Sequence, residues 1–359
     1  MFTSEVSEVT DLYIAGTAGS GKTAIALGMA LFLQEQGVRV GYFKPVGSPP
    51  GVIRAEDRDA TLMREILNLG LEVREIAPLA LGGYYISSYK DPSRCRQVVK
   101  EAYAKVKAEA EAVLLDGAAH PWAMAAFGLD VLSLAREFGA AVLYVVQPAN
   151  DRSLDEVAFF ARCSKEGGVR FTGVIFNNVP RVLLAKTEGI YREVLASQGI
   201  ETLGIIPSRT ELSAPTVAEF YEALGGDILA GEDKFGNIVE DVLVGAMTIE
   251  SALAYFRRSA NKAVVTGGDR SEIALAALET DTSVLILTGG LYPDVKVIAR
   301  AVEKGVPLIL VYYDTYTAIE RLAEVSRVIR PGDTRAIALA RESVAAHCNL
   351  EKLVALVRG

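Results

Sequence analysis

Gly16, Gly21, Lys22 and Thr23 fall at the spacing Gly-x-x-x-x-Gly-Lys-Thr inside YIAGTAGSGKTAIALGMALFLQEQG, residues 13–37. Glycines let successive backbone N–H groups turn inward on phosphate oxygens, and a helix starting near Gly21 adds the positive end of its dipole. Lys22 then supplies a point charge for the outer phosphates, and the Thr23 hydroxyl a ligand for Mg²⁺. A glycine-rich turn without a ligand could use the same residue types, but it would not need every defined position of the motif. The motif counts only between a strand and a helix. Both flank it: the apolar run Leu12–Ala15 precedes it and a helical pattern follows.

Further polar residues fall at or near the ends of apolar runs. In GYFKPVGSP, Lys44 could face the phosphates from the side opposite Lys22, as phosphoryl transfer requires, or be a surface lysine at a turn made by Pro45. Ser48, just beyond, is compatible with binding a substrate. Asp57 and Asp59 precede an amphipathic helix, where carboxylates serve as caps or hold Mg²⁺. Asp116 ends the run AVLLD, the arrangement of a metal-positioning acid beside a phosphate loop. Asn177 and Asn178 end another run; an amide can read a purine edge, and asparagines also populate turns for local reasons. Farther on, Asp269 and Arg270 open a helical pattern and Thr288, Gly289 and Gly290 close an apolar run. Asp269 reads as a cap and Gly267 and Gly268 as a tight turn, or the two strand ends as an anion or partner site with Arg270 as its cation. Neither segment shows a nucleophile with its base.

The elements that must position these residues alternate. Apolar β-type runs at 12–15, 38–42, 112–115, 141–146, 171–176 and 202–206 are separated by helix-period segments. Such alternation predicts an α/β fold, a mostly parallel sheet wrapped by helices with ligands beyond the strands' carboxyl ends. The polar PSRTELSAP suggests a boundary, after which runs at 238–245, 262–265, 283–287 and 307–311 predict a second, smaller α/β domain. The expected division is 1–209, 210–330 and a helical tail, 331–359, packed on one of the domains. At 359 residues, with 50% hydrophobic and 23% charged, the chain has material for two cores. A net charge of −8 without basic clusters argues against nucleic acid. With three scattered cysteines, two histidines, no export segment at the N-terminus and no membrane-length apolar run, the expectation is a cytosolic protein without disulfides or zinc.

Together these residues resemble the dethiobiotin synthetase group of phosphate-loop ligases, which includes the ATP-dependent synthases of cobyrinic acid diamide. The resemblance covers about the first 210 residues: a loop opening with Gly16-Thr17 and closing with Gly21-Lys22-Thr23, then Lys44-Pro45-Val46. It implies that Gly16, Thr17, Gly19, Ser20, Gly21, Lys22 and Thr23 wrap ATP phosphates and that Lys22 and Lys44 grip them. It further implies Thr23, Asp59 and Asp116 around Mg²⁺ and Asn177 facing adenine. The rest resembles the DRTGG domain through Asp269, Arg270 and, after a gap, Thr288, Gly289 and Gly290. Long bacterial phosphate acetyltransferases carry this pair ahead of their catalytic domain. The chain stops before a transferase domain could begin, so a free-standing version of that regulatory pair is expected.

The sequence departs from dethiobiotin synthetase proper. Its loop, GTAGSGKT, is shorter and lacks acids, Asp116 replaces a glutamate, and GAAHPWAM stands where a glycine-rich substrate loop belongs. The leading expectation is therefore a Mg²⁺-dependent ATP-binding protein with weak ATPase activity, a nucleotide-responsive module regulating a metabolic enzyme of acetate or CoA metabolism. A ligase acting on a carboxylate or carbamate, or a scaffold with structural ATP, are the alternatives. The related ligases pair two-fold, so a homodimer is implied.

Overall fold

Strand β1 (Leu12–Gly16) has no solvent side: all five residues are buried, Tyr13 and Ala15 in one apolar cluster, Leu12 and Ile14 in another. Burial on both faces is the mark of a central parallel strand. The computed structural model describes residues 11–47, 56–323 and 325–358. Seven more strands follow in the first part of the chain: β2 (Val40–Phe43), β3 (Val46–Gly47), β4 (Leu79–Ala80), β5 (Ala112–Asp116), β6 (Ala141–Val146), β7 (Phe171–Val179) and β8 (Thr202–Pro207). Five of these and β1 form a wholly parallel sheet in the order β2-β5-β1-β6-β7-β8, while β3 and β4 pair separately. β1 lies between β5 and β6, where the direction of travel across the sheet reverses, and ligands of open α/β sheets bind beyond such a point.

Helices cover both faces. Pro92–Glu109, Val131–Phe138 and Arg152–Glu166 contribute to one core, and Lys22–Glu35, Arg58–Leu67, Thr334–His347 and Leu350–Arg358 to the other. The tail helix Thr334–His347 crosses the first helix at Gly28, where a Cβ would lie 2.6 Å from Val344 Cγ2 and 2.7 Å from the Ala340 carbonyl. Only glycine allows that approach. Arg341 adds a forked pair with Glu35 at 2.6 and 2.8 Å, and Cys348 bridges to Gly204 of β8.

The described chain divides into two compact units, one of residues 11–47, 56–212 and 329–358, the other of residues 213–323 and 325–328. In the second, β9 (Asp227–Ala230), β10 (Asp241–Val244), β11 (Lys262–Gly267), β12 (Thr282–Thr288) and β13 (Leu308–Leu310) form a sheet ordered β10-β11-β12-β13-β9. Four strands run parallel and β9 is an antiparallel edge that the sequence pattern misses. Among the described residues no helix is long and apolar enough to cross a membrane.

Candidate functional site

The loop after β1 is shaped by glycines at its two ends. Gly16 has φ 151° and its missing Cβ would sit 2.2 Å from the Val145 carbonyl of β6; Gly21 has φ 84°, and its Cβ would meet the Asn177 amide at 2.2 Å. A side chain at Gly16 would run into the β6 backbone, one at Gly21 into the Asn177 amide, and both positions lie at positive φ. Within the loop, Ser20 Oγ and Lys22 Nζ donate to the Thr17 carbonyl at 2.9 and 2.7 Å, and Asn177 Nδ2 donates to the Ser20 carbonyl at 2.9 Å. Carbonyls are thus drawn to the protein side. The first-turn N–H groups of the 14-residue helix Lys22–Glu35, which have no partner inside the helix, stay available to an anion.

Asp116, at the last position of β5, is buried with Thr23 and Tyr42 around it. Its Oδ2 accepts from Thr23 Oγ1 at 2.9 Å and from Tyr42 OH at 2.7 Å; its Oδ1 is buried and has no hydrogen-bond partner among the described residues. Lys44 follows β2 with its amide fixed on the Ile76 carbonyl, and its Nζ bonds Asp59 and lies 3.4 Å from Asp57. It is 4% exposed, so it is no surface lysine. Asp57 caps the helix Arg58–Leu67, accepting from the Ala60 amide at 2.8 Å, while Asp59 lies in its first turn. Both readings of this acidic pair therefore have a residue to carry them: the cap is Asp57, and the carboxylate that touches Lys44 and Thr23 is Asp59.

The electrostatics follow from this crowding. Burial pushes the Lys22 ammonium below its ordinary value, with Lys44 adding to the effect and Asp116 opposing it. Burial would do the same to Lys44, but the Asp59 and Asp57 carboxylates reverse it and hold the ammonium above its usual range. Burial drives Asp116 above the carboxylate range and the nearby Asp59 charge reinforces that; Asp59 itself is kept low by Lys44 despite its burial. Two cations, Lys22 and Lys44, and three carboxylates, Asp57, Asp59 and Asp116, thus share one largely buried corner, and a phosphate with its counter-cation matches such a set in kind.

The donors around Asp116 are oxygens: the Thr23 hydroxyl, the Asp116 carboxylate and the neighbouring Asp59. The Oδ1 of Asp116 is a buried acceptor without a hydrogen-bond partner among the described residues, so these residues fit Mg²⁺. Among the described residues no group of three or more His, Cys, Asp or Glu forms a cage, so such a cation would take its remaining ligands from phosphate and water.

The second group of sequence candidates lies apart, in the other unit. Gly268 packs against the Leu291 carbonyl, where a Cβ would come within 1.8 Å, and its amide donates to the Thr288 carbonyl at 3.1 Å. The Gly289 and Gly290 amides donate to the Tyr313 and Val311 carbonyls, and Thr288 Oγ1 shares a 2.8 Å bond with Thr315. Arg270 reaches the Met247 carbonyl, and Asp269 is exposed. The amides of Gly268, Gly289 and Gly290 are spent on internal bonds. The expected Asp269 cap is not made: the helix Ser271–Leu278 starts from Arg270 with no side-chain cap bond. Ser48 lies outside the described residues. The sequence reading did not single out Tyr42; its apolar flanks mark it as core and only strand register shows where its hydroxyl goes.

Residues 10–216 match the AAA domain family, more than half of the chain. The chain belongs to the AAA domain family. Beyond this AAA domain, residues 219–325 match the DRTGG domain. The pair occurs in phosphate acetyltransferases: the chain is 26% identical over 347 residues to that of Nitratidesulfovibrio vulgaris, covering 91% of this chain and 49% of the relative. It is 27% identical to that of Pseudomonas putida (92% and 49%) and 25% identical to that of Escherichia coli (98% and 53%). The chain spans about half the length of these curated relatives, which places the AAA and DRTGG domains in the region matched. Among solved structures, the MinD cell division protein of Aquifex aeolicus aligns at TM-score 0.36 and 18% identity over 56% of this chain and 84% of its own. The CBS and DRTGG domains of the regulatory region of Clostridium perfringens pyrophosphatase align at 0.28 and 18% over 45% and 78%.

Proposed function

We propose that the chain is a cytosolic, Mg²⁺-dependent ATP-binding protein with weak ATPase activity, working as a nucleotide-responsive regulatory module. The observation that carries this reading is the convergence on one loop of Lys22, Thr23, buried Lys44 and Asp116 with its unpartnered oxygen. Lys22 and Lys44 bind and charge-compensate the phosphates, Thr23 and Asp116 hold Mg²⁺ with Asp59 beside them, and Mg²⁺, when bound, spreads the charge of the phosphate oxygens. Asn177 fixes the loop through the Ser20 carbonyl and, as the resemblance implies, faces adenine. The phosphate acetyltransferase relatives favour a metabolic enzyme, of acetate or CoA metabolism, as what is regulated, with the DRTGG domain carrying the response; the two-fold pairing of the ligases that the first domain resembles is the ground for a homodimer.

A second reading is an ATP-dependent ligase. Buried Lys44 favours it, because a second cation facing the outer phosphate suits phosphoryl transfer to a carboxylate or carbamate. Phosphate release measured with and without carboxylate and amine substrates separates the two. Regulation predicts turnover below about one per minute whatever is added, against roughly one per second for ordinary enzymes. Strong, substrate-specific stimulation selects the ligase.

A further inference from the structure

The geometry points to Tyr42 as a positioning residue for the cation-binding carboxylate, acting through Asp116 and resting on the proposed nucleotide site. In the parallel pairing of β2 with β5, Tyr42 lies level with Leu114. Asp116 follows two residues later on the same face, about 6.6 Å farther along the strand. A tyrosine side chain leaning forward spans that distance and a shorter one would not. The hydroxyl arrives at Asp116 Oδ2 at 2.7 Å, and the ring stays wholly buried in the core beneath the loop. Two donors on one oxygen, Thr23 and Tyr42, fix the plane of the carboxylate, and the other oxygen, Oδ1, is the one left for a cation.

With Thr23 as sole donor, the carboxylate could turn about its last torsion and the Thr23 hydroxyl could turn with it. The Tyr42 hydroxyl comes from a strand, not from the loop, so it holds Asp116 whatever the loop does. Groups that orient metal-binding carboxylates typically change metal affinity by about 10- to 100-fold when removed. A tyrosine merely satisfying its hydroxyl in the core would stabilise the fold but leave cation affinity alone.

Tyr42→Phe separates these roles, since it keeps the ring. In the full-length chain, Mn²⁺ is titrated in the presence of ADP and free Mn²⁺ read by electron paramagnetic resonance; a fluorescent ATP analogue is titrated in EDTA alongside. The expected result is about tenfold weaker Mn²⁺ binding with unchanged cation-free nucleotide affinity. In an Asp116→Asn background, where no carboxylate is left short of a donor, adding Tyr42→Phe should change nothing further. Unchanged Mn²⁺ affinity in Tyr42→Phe, equal losses with and without cation, or a further tenfold loss in the Asp116→Asn background would each overturn the assignment while leaving the nucleotide site standing. A wild-type chain that binds neither Mn²⁺ nor nucleotide would overturn the proposed function and this inference with it.

Discussion

Lys44 carries two demands at once, being the cation that neutralises Asp59 in the fold and the one assigned to phosphate. Removing it strands a carboxylate in a largely buried corner, and breaking such a pair on one side destabilises by roughly 3 kcal/mol. Lys44→Ala is therefore expected to lower the unfolding free energy read from urea titration by that amount, and adding Asp59→Asn should recover part of it; no recovery would mean that the pair is not what stabilises this corner. The spacing alone left Lys44 between a turn lysine and a phosphate ligand, because neither burial nor the approach of Asp57 and Asp59 can be read from one chain segment. Asp116 was legible for the opposite reason: an acid closing an apolar run beside a phosphate loop has few other uses. Tyr42 was not, since its partner is 74 positions away and only the β2–β5 register brings them together.

At the scale of elements, strands with two buried faces were the legible ones. β1, β5, β6 and β8 fall within a residue or two of the apolar runs, whereas β7 runs on to Val179 past a register shift that puts Asn178 at φ 52°. β9 escaped notice because its apolar stretch is only the triplet Ile228, Leu229 and Ala230, set between Gly226 and Gly231 and shorter than the roughly four to eight residues that mark a strand. Helix packing makes its own predictions. Gly28→Ala should destabilise the chain by about 1–3 kcal/mol through overpacking against Val344, read as a lowered Tm, whereas Glu35→Gln should leave Tm nearly unchanged because that pair is exposed. The junction of the tail with β8 has a chemical reporter. Burial pushes the Cys348 thiol up to about 12, and the thiolate is the reacting form. Alkylation of Cys348 at pH 8 should be slow in the folded protein and rise about tenfold per pH unit from pH 8 to 10; a rate already level by pH 9 would show that the thiol is not shielded.

For the whole molecule, two units with separate apolar clusters predict two unfolding events. A ligand held by the loop after β1 stabilises only the unit that binds it, by an amount set by its concentration over Kd. In calorimetry Mg·ATP should thus raise one transition and leave the one belonging to residues 213–328 in place; a parallel rise in both would mean that the units unfold together. The packing of Gly268 and Gly290 belongs to that second unit, and Gly268→Ala should lower its transition alone. The most direct test of the account is calorimetric titration of the full chain with ATP, with Mg²⁺ and with EDTA, beside the Lys22→Ala variant. The account predicts saturable binding of one ATP per chain, tighter with Mg²⁺ and lost in Lys22→Ala. Equal binding by the variant, or none by the wild type, would contradict it.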